Sequence, residues 1–197
     1  MIPKIIHHIW LGPKPMPEEF VRYGETWRKH HPEWVMWLWT DNNLPPLVNQ
    51  DLYARGAHYS EKSDIIRYEV LNEFGGFYVD TDFECLKPLD EFLGWDFICG
   101  QQKPDYISTA LIGCVRKNVI TEEIIRQFPD SFVERPNDYM RRSVDILQRT
   151  ISLHRHKLNL KVAEPAVFLP YNWNEKHRKG ESFPGAYAVH HWAGSWG

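Results

Sequence analysis

One stretch limits the fold more than any other: residues 61–82, EKSDIIRYEVLNEFGGFYVDTD. Ile66, Val70 and Phe74 recur every four residues, which predicts a helix over 61–74 with one apolar face. Ser60 or Ser63 is expected to cap its start, and Gly75-Gly76 ends it. The apolar run Phe77-Tyr78-Val79 follows at once, too short for anything but a buried strand. Two carboxylates, Asp80 and Asp82, stand where that strand ends. A helix handed directly to a buried strand belongs in an α/β sheet, and ligands of such sheets bind beyond the carboxyl ends of the strands.

The rest of the chain agrees. KIIHHIW at 4–10 is β-branched and aromatic, a buried strand whose alternation sends His7 and His8 to opposite faces. Three prolines set the loop 11–17. Phe20, Tyr23, Gly24 and Trp27 predict a helix over 18–30, closed by Pro32. Trp34 to Trp39 is apolar on both faces, as a central parallel strand would be. Residues 41–59 are mixed, and Leu86 to Leu89 turns the chain. Strands are expected at 96–100 and 108–114, helices at 119–128 and 139–153, and short strands near 161–168 and 186–191. The expected class is α/β with a mostly parallel central sheet flanked by helices. A length of 197 residues suits one domain.

Composition narrows the function. Lys plus Arg is 23 against 26 Asp plus Glu, a net charge of −3, so no field draws this chain to nucleic acid or to an anionic membrane. The start lacks the basic and apolar regions of a signal peptide, and no apolar run could span a bilayer. The expectation is a soluble, cytoplasmic protein, with peripheral membrane association left open. Cys85, Cys99 and Cys114 have neither CxxC spacing nor an even count, which argues for buried thiols rather than zinc or disulfides. The chain holds 9 Trp, 9 Tyr and 10 Phe, more rings than a core of this size needs. Phe74, Phe77, Trp34, Trp37 and Phe97 fit core patterns, whereas Trp10, Trp192 and Trp196 read as walls of a binding cleft.

Three groups of residues carry candidate chemistry. Asp80 and Asp82 repel each other unless a cation lies beside them, and a hard divalent ion shared with phosphate oxygens is the natural occupant. Asp64 and Arg67, at i and i+3, share one helix face near the same strand end. They are either an exposed ion pair or an Arg that meets a diphosphate while Asp64 orients it or grips a sugar. The terminal HHWAGSW can supply one imidazole to a metal, and Mn2+ accepts imidazole more readily than Mg2+ does.

Four stretches together resemble one family, the DXD-containing glycosyltransferases of family 32, which includes mannosyltransferases and capsular-polysaccharide transferases. They are IPKIIHHIWLG at 2–12, KSDIIRYEVLNEFGGFYVDTDFECLKPLD at 62–90, VFLPYNW at 167–173 and HHWAGSW at 190–196. The resemblance implies a GT-A type fold and a metal-dependent, retaining transfer of a hexose or N-acetylhexosamine. The donor would be a UDP- or GDP-sugar and the acceptor a glycan, a lipid-linked glycan or another hydroxyl, as in polysaccharide biosynthesis. It implies that Asp80 contacts donor and metal, that Asp82 ligates the metal directly, and that Asp64 and Arg67 hold the donor sugar and diphosphate. His8, Ile9 and Trp10 would help to hold the base and ribose. Ser195 and Trp196 would close over the diphosphate. His191 is favoured as the third metal ligand, because related enzymes place His before an aromatic-x-Gly, with His190 as the alternative.

On this resemblance residues 1–100 form the donor-binding half and 101–197 the acceptor side, carrying the C-terminal metal motif. The 101–109 loop and the 129–160 region are the candidate acceptor contacts. Two other classes share parts of this pattern. A haloacid-dehalogenase-like phosphohydrolase also places Asp-x-Asp after an apolar strand, but wants Thr or Val where Glu84 stands and has the motif on its first strand. A non-catalytic sugar-binding module would suit the aromatic excess yet leave Arg67 and the carboxylates without a purpose.

Overall fold

The structure is a computed structural model that describes residues 1–134 and 139–194, without the side chains of 133–141. In chain order the elements are β1 (Ile5–Ile9), α1 (Glu18–His30), β2 (Val35–Trp39), α2 (Gln50–Arg55), α3 (Tyr59–Phe74), β3 (Gly76–Val79), β4 (Phe83–Cys85), β5 (Phe97–Lys103), β6 (Tyr106–Cys114), α4 (Val119–Glu134), α5 (Tyr139–His154), β7 (Leu160–Ala163), α6 (Pro165–Phe168) and β8 (Ala188–His190). Six strands form one sheet in the order β2-β1-β3-β6-β5-β7. Its pairs are parallel except where β6 runs antiparallel to β3 and β5. β4 and β8 form a separate antiparallel ribbon.

Strand alternation divides the core in two. Tyr78, Phe97 and Cys99 face a cluster with α3, α4 and α5, built on Tyr68, Ile124 and Leu147. Phe77, Val79 and Ile98 face a second cluster with Trp27 of α1, Phe83 of β4, Ala188 of β8 and Phe168 of α6. All four residues of β3 are buried, so that strand sits between two apolar layers. The α3–β3 link is tight because Gly75 and Gly76 both take positive φ. A Cβ on Gly76 would lie 2.6 Å from the Ile5 carbonyl oxygen.

Several expectations are corrected. β2 is an edge strand rather than a central one, with Val35 and Leu38 exposed. Its apolar run arises because Trp37 and Trp39 pack on Phe74 while Met36 and Leu38 line a cavity beside α1. α3 begins at Tyr59, ahead of either serine. The Glu61 carboxylate reaches back to the N–H groups of Ala57 and His58, 3.1 and 3.3 Å away, in place of a serine cap. The strand expected near 161–168 ends at Ala163, because Pro165 cannot donate to a ladder and instead opens α6. The 101–109 segment is a β5–β6 hairpin rather than a loop, tied at its turn to α5 by Gln148, whose Nε2 donates to the Asp105 carbonyl at 2.7 Å. The three cysteines are free and buried, as expected. Among the described residues no helix is long and apolar enough to cross a membrane.

His7 and His8 do face opposite sides. His7 Nε2 donates to the Gly75 carbonyl at 2.8 Å, and its Nδ1 accepts the Trp39 indole N–H at 3.0 Å. His8 Nδ1 donates to the Val79 carbonyl at 2.8 Å. Burial lowers both to about 4, from an ordinary value of 6.5. An imidazole with a depressed native pKa supports folding fully above its unfolded value and loses that support as the pH falls toward the native one. The unfolding midpoint in denaturant should therefore drop steeply between pH 6.5 and 4. His7→Gln should cost about 1–2 kcal/mol at pH 7 and flatten the slope. An unchanged slope in that variant would remove His7 from the account.

Candidate active site

The site lies where β3 ends. The Asp80 N–H donates to the Ala110 carbonyl of β6 at 2.9 Å, which fixes the strand end, and the chain then turns through Thr81 into β4. Asp82 meets the C-terminal segment there. The His191 N–H donates to the Asp82 carbonyl at 3.0 Å, and β4 pairs with β8 in a register that sets Phe83 opposite His190. The His190 ring stacks on Phe83, with centroids 4.4 Å apart. Its Nε2 lies 3.1 Å from Asp82 Oδ1 and 4.0 Å from Asp80 Oδ2. The Ala193 N–H donates to Asp82 Oδ2 at 2.9 Å.

Arg67 occupies the other side of Asp80. Its Nη2 is 3.1 Å from Asp64 and 3.8 Å from Asp80. Nη1 donates to the Thr109 carbonyl and hydroxyl at 2.9 and 3.0 Å, and Nη2 donates to Ser63 Oγ at 3.3 Å. The guanidinium lies 4.5 Å from the centre of the Tyr78 ring, and the Tyr78 hydroxyl donates to the Asp80 carboxylate. The Asp64–Arg67 pair is thus largely enclosed beside Asp80; the exposed-pair alternative does not hold. Among charges so enclosed, attraction is little screened by water.

These surroundings move the carboxylates apart in acidity. Burial raises Asp64 to about 6, although Arg67 pulls the other way. Burial also raises Asp80, and the Asp82 charge adds to that. Burial pushes Asp82 upward too, but His190 and the Ala193 N–H outweigh it and hold Asp82 below its ordinary value. Burial works against the Arg67 charge, yet Tyr78, Asp64 and Asp80 more than offset it.

Asp80, Asp82 and His190 can each turn one ligand atom within 4.8 Å of the others. Two carboxylate oxygens and an imidazole nitrogen suit Mn2+. Asp82 Oδ1 can only accept, so His190 Nε2 carries the proton toward it, and Nδ1 is buried without a hydrogen-bond partner. Nε2 can exchange its proton for an ion, and these three residues fit a divalent cation.

The structure places His190 beside the pair rather than the favoured His191. Successive residues at the end of β8 point to opposite faces. His191 is accordingly turned to Glu84, 3.1 Å from its Nε2, and to the Tyr171 hydroxyl, 3.2 Å from its Nδ1. Ile9 is 1% exposed, and its side chain packs in the α3-side core. His8 and Thr81 line a cavity of about 320 Å³ with Met16, Phe20 and Leu38, on the α1 side. Trp10 stands partly open, edge-on to Phe20, its indole N–H on the Lys14 carbonyl. Ser195 and Trp196 lie outside the described residues. Sequence reading missed Tyr78, Ser63 and Thr109, which surround Arg67. Tyr78 could have been found, since it stands two residues before Asp80 and alternation places both on one face.

Residues 17–98 match the model of the glycosyltransferase sugar-binding region containing the DXD motif. The chain is 28% identical over 134 residues to inositol phosphoceramide mannosyltransferase 3 of Schizosaccharomyces pombe, which covers 65% of this chain and 37% of that protein. It is 33% identical over 105 residues to an uncharacterised glycosyltransferase of Acanthamoeba polyphaga mimivirus, 49% of this chain and 42% of that one. The chain therefore spans well under half the length of these relatives. The solved PaToxG glycosyltransferase superposes with a TM-score of 0.66 at 16% identity, over 79% of this chain and 70% of that chain, and shows the same GT-A type fold. Residues 17–98, with Asp64, Arg67, Asp80 and Asp82 inside them, are similar to the DXD-containing sugar-binding region of these glycosyltransferases.

Proposed function

We propose that the chain is a metal-dependent, retaining glycosyltransferase that moves a hexose from a nucleoside diphosphate sugar to a hydroxyl acceptor. The observation that carries this reading is the buried line Asp64–Arg67–Asp80–Asp82–His190 at the end of β3. Breaking a glycosyl–phosphate bond builds negative charge on the leaving diphosphate. A bound Mn2+ or Mg2+, held by Asp80, Asp82 and His190, would stabilise that charge as it develops. Arg67 would add a fixed guanidinium, already oriented by Ser63, Thr109 and Asp64, at no reorganisation cost. Asp64, raised to about 6 by burial, would be a hydrogen-bond partner for sugar hydroxyls in either protonation state.

GDP-mannose is the donor favoured by the relatives, one of which is named as a mannosyltransferase. That name also puts an inositol phosphoceramide among the candidate acceptors, beside glycans and lipid-linked glycans. Retention of the anomeric configuration rests on the family resemblance. Trp10 would face the nucleotide, and the β5–β6 hairpin with α5 would form the acceptor side.

The experiment compares thermal unfolding with GDP and with UDP, each with and without Mn2+. A native-state ligand raises the midpoint, so one nucleotide should do so in a metal-dependent way. The parent should then release or transfer sugar from the matching nucleotide sugar, with Asp82→Ala lowering kcat by about 10²-fold or more. Arg67→Lys should lower kcat/KM by about tenfold or more, since Lys cannot reproduce the guanidinium fork. Turnover by Asp82→Ala at the parent's rate, with excess chelator present, would overturn the metal role. Glycan binding with no response to either nucleotide would turn the reading toward a sugar-binding module.

A further inference from the structure

His191 is turned away from the Asp80–Asp82 pair, and its ring is held on both nitrogens and one face. Glu84 can only accept, so His191 Nε2 carries the proton and donates it across 3.1 Å. Nδ1 is then the acceptor for the Tyr171 hydroxyl, 3.2 Å away. The ring also lies flat on Tyr23 of α1, with centroids 4.4 Å apart and planes 10° apart. A side chain gripped on two nitrogens and one face has one orientation. Its neighbour His190, the last residue of β8, faces the opposite way, against Asp82.

Tyr171 holds the next turn as well. Trp192 has φ +53°, a left-handed conformation that a bulky residue rarely adopts. Its indole N–H donates to the Tyr171 carbonyl at 2.9 Å. That left-handed turn brings the Ala193 N–H onto Asp82 Oδ2. The hydroxyl and the carbonyl of Tyr171 thus fix the residues on either side of the turn. Tyr171 belongs to VFLPYNW, a segment to which no role has so far been attached.

We propose that Tyr171 and Glu84 are positioning residues of the metal site: through His191 and Trp192 they set the His190 imidazole and the Ala193 N–H on Asp82. This rests on the reading of Asp80, Asp82 and His190 as metal ligands. Neither Tyr171 nor Glu84 touches the ion. They act as the outer partners that orient ligands, whose loss costs a metal site about 10–100-fold in affinity.

The test measures the Mn2+ dissociation constant of the full chain, following free Mn2+ by electron paramagnetic resonance, beside the unfolding midpoint in metal-free buffer. Tyr171→Phe removes only the hydroxyl and should weaken Mn2+ about tenfold or more. Glu84→Ala should do the same. Glu84→Gln keeps an acceptor oxygen for His191 Nε2–H and should bind within about threefold of the parent. Asp82→Ala is the reference for a lost ligand. If Tyr171→Phe proves too unstable to assay, Glu84→Ala decides, since that carboxylate is partly exposed. Parent-like affinity in Tyr171→Phe and Glu84→Ala, with binding lost in Asp82→Ala, would overturn the positioning role and leave the metal site standing. Parent-like affinity in Asp82→Ala would overturn the metal site and the positioning role with it. Affinity that falls only in step with the unfolding midpoint, with no rescue by Glu84→Gln, would assign the pair to general stability and contradict the proposal.

Discussion

Three carboxylates share one enclosed space beside the Arg67 guanidinium. Asp64, Asp80 and Asp82 gather around the end of β3, and Arg67 reaches only the first two. Left ionised and unpaired, such groups would repel one another and lose hydration they cannot replace. The protein spreads the load. Asp64 and Asp80 are pushed toward protonation, while Asp82 keeps its charge because His190 and a backbone N–H face it. A divalent cation would complete the balance, and a leaving diphosphate would in turn neutralise the cation and Arg67. On the proposed reading, the site would suit an anion that arrives with, or onto, a metal.

The same constraint explains the small ribbon apart from the main sheet. Asp82 and His190 are 108 residues apart, and the β4–β8 pairing brings them together. That ribbon is short, three residues on each strand, and is covered by α1 on one side. Trp27 of α1 donates its indole N–H to the Phe83 carbonyl at 2.9 Å, and the Thr26 hydroxyl accepts the Cys85 N–H at 2.8 Å. α1 is therefore a brace for the ribbon, and Tyr23 on the same helix supports His191. Packing on the far side of the sheet serves Arg67 in a similar way, since α3 delivers it and β6 supplies Thr109.

Much of this was legible in the sequence. The helix–Gly-Gly–strand–Asp-x-Asp run dictates where Asp80 must stand, because periodicity and two glycines leave little freedom. The opposite facing of His7 and His8 followed from alternation alone. What could not be read was contact across long sequence distances. A three-residue strand such as Phe83–Cys85 has no periodicity of its own, so the ribbon was missed, and with it the choice between His190 and His191. β2 was misplaced for a related reason: an apolar run does not report how many neighbours a strand pairs with, and here Val35 and Leu38 of the run stand exposed. Thr109 carried no signal, since a hydroxyl brought beside an arginine from a distant strand is visible only after folding, whereas Ser63 stands four residues before Arg67 on one helix face and was legible.

The central claim is that Asp80, Asp82 and His190 hold a divalent cation beside Arg67. Its most direct measurement is the anomalous scattering of Mn2+ in crystals grown with the ion and a nucleoside diphosphate. The account predicts one peak within bonding distance of an Asp82 oxygen and His190 Nε2, with the diphosphate between that peak and Arg67. A nucleotide bound with no peak there, or a peak held by His191 and Glu84, would contradict it.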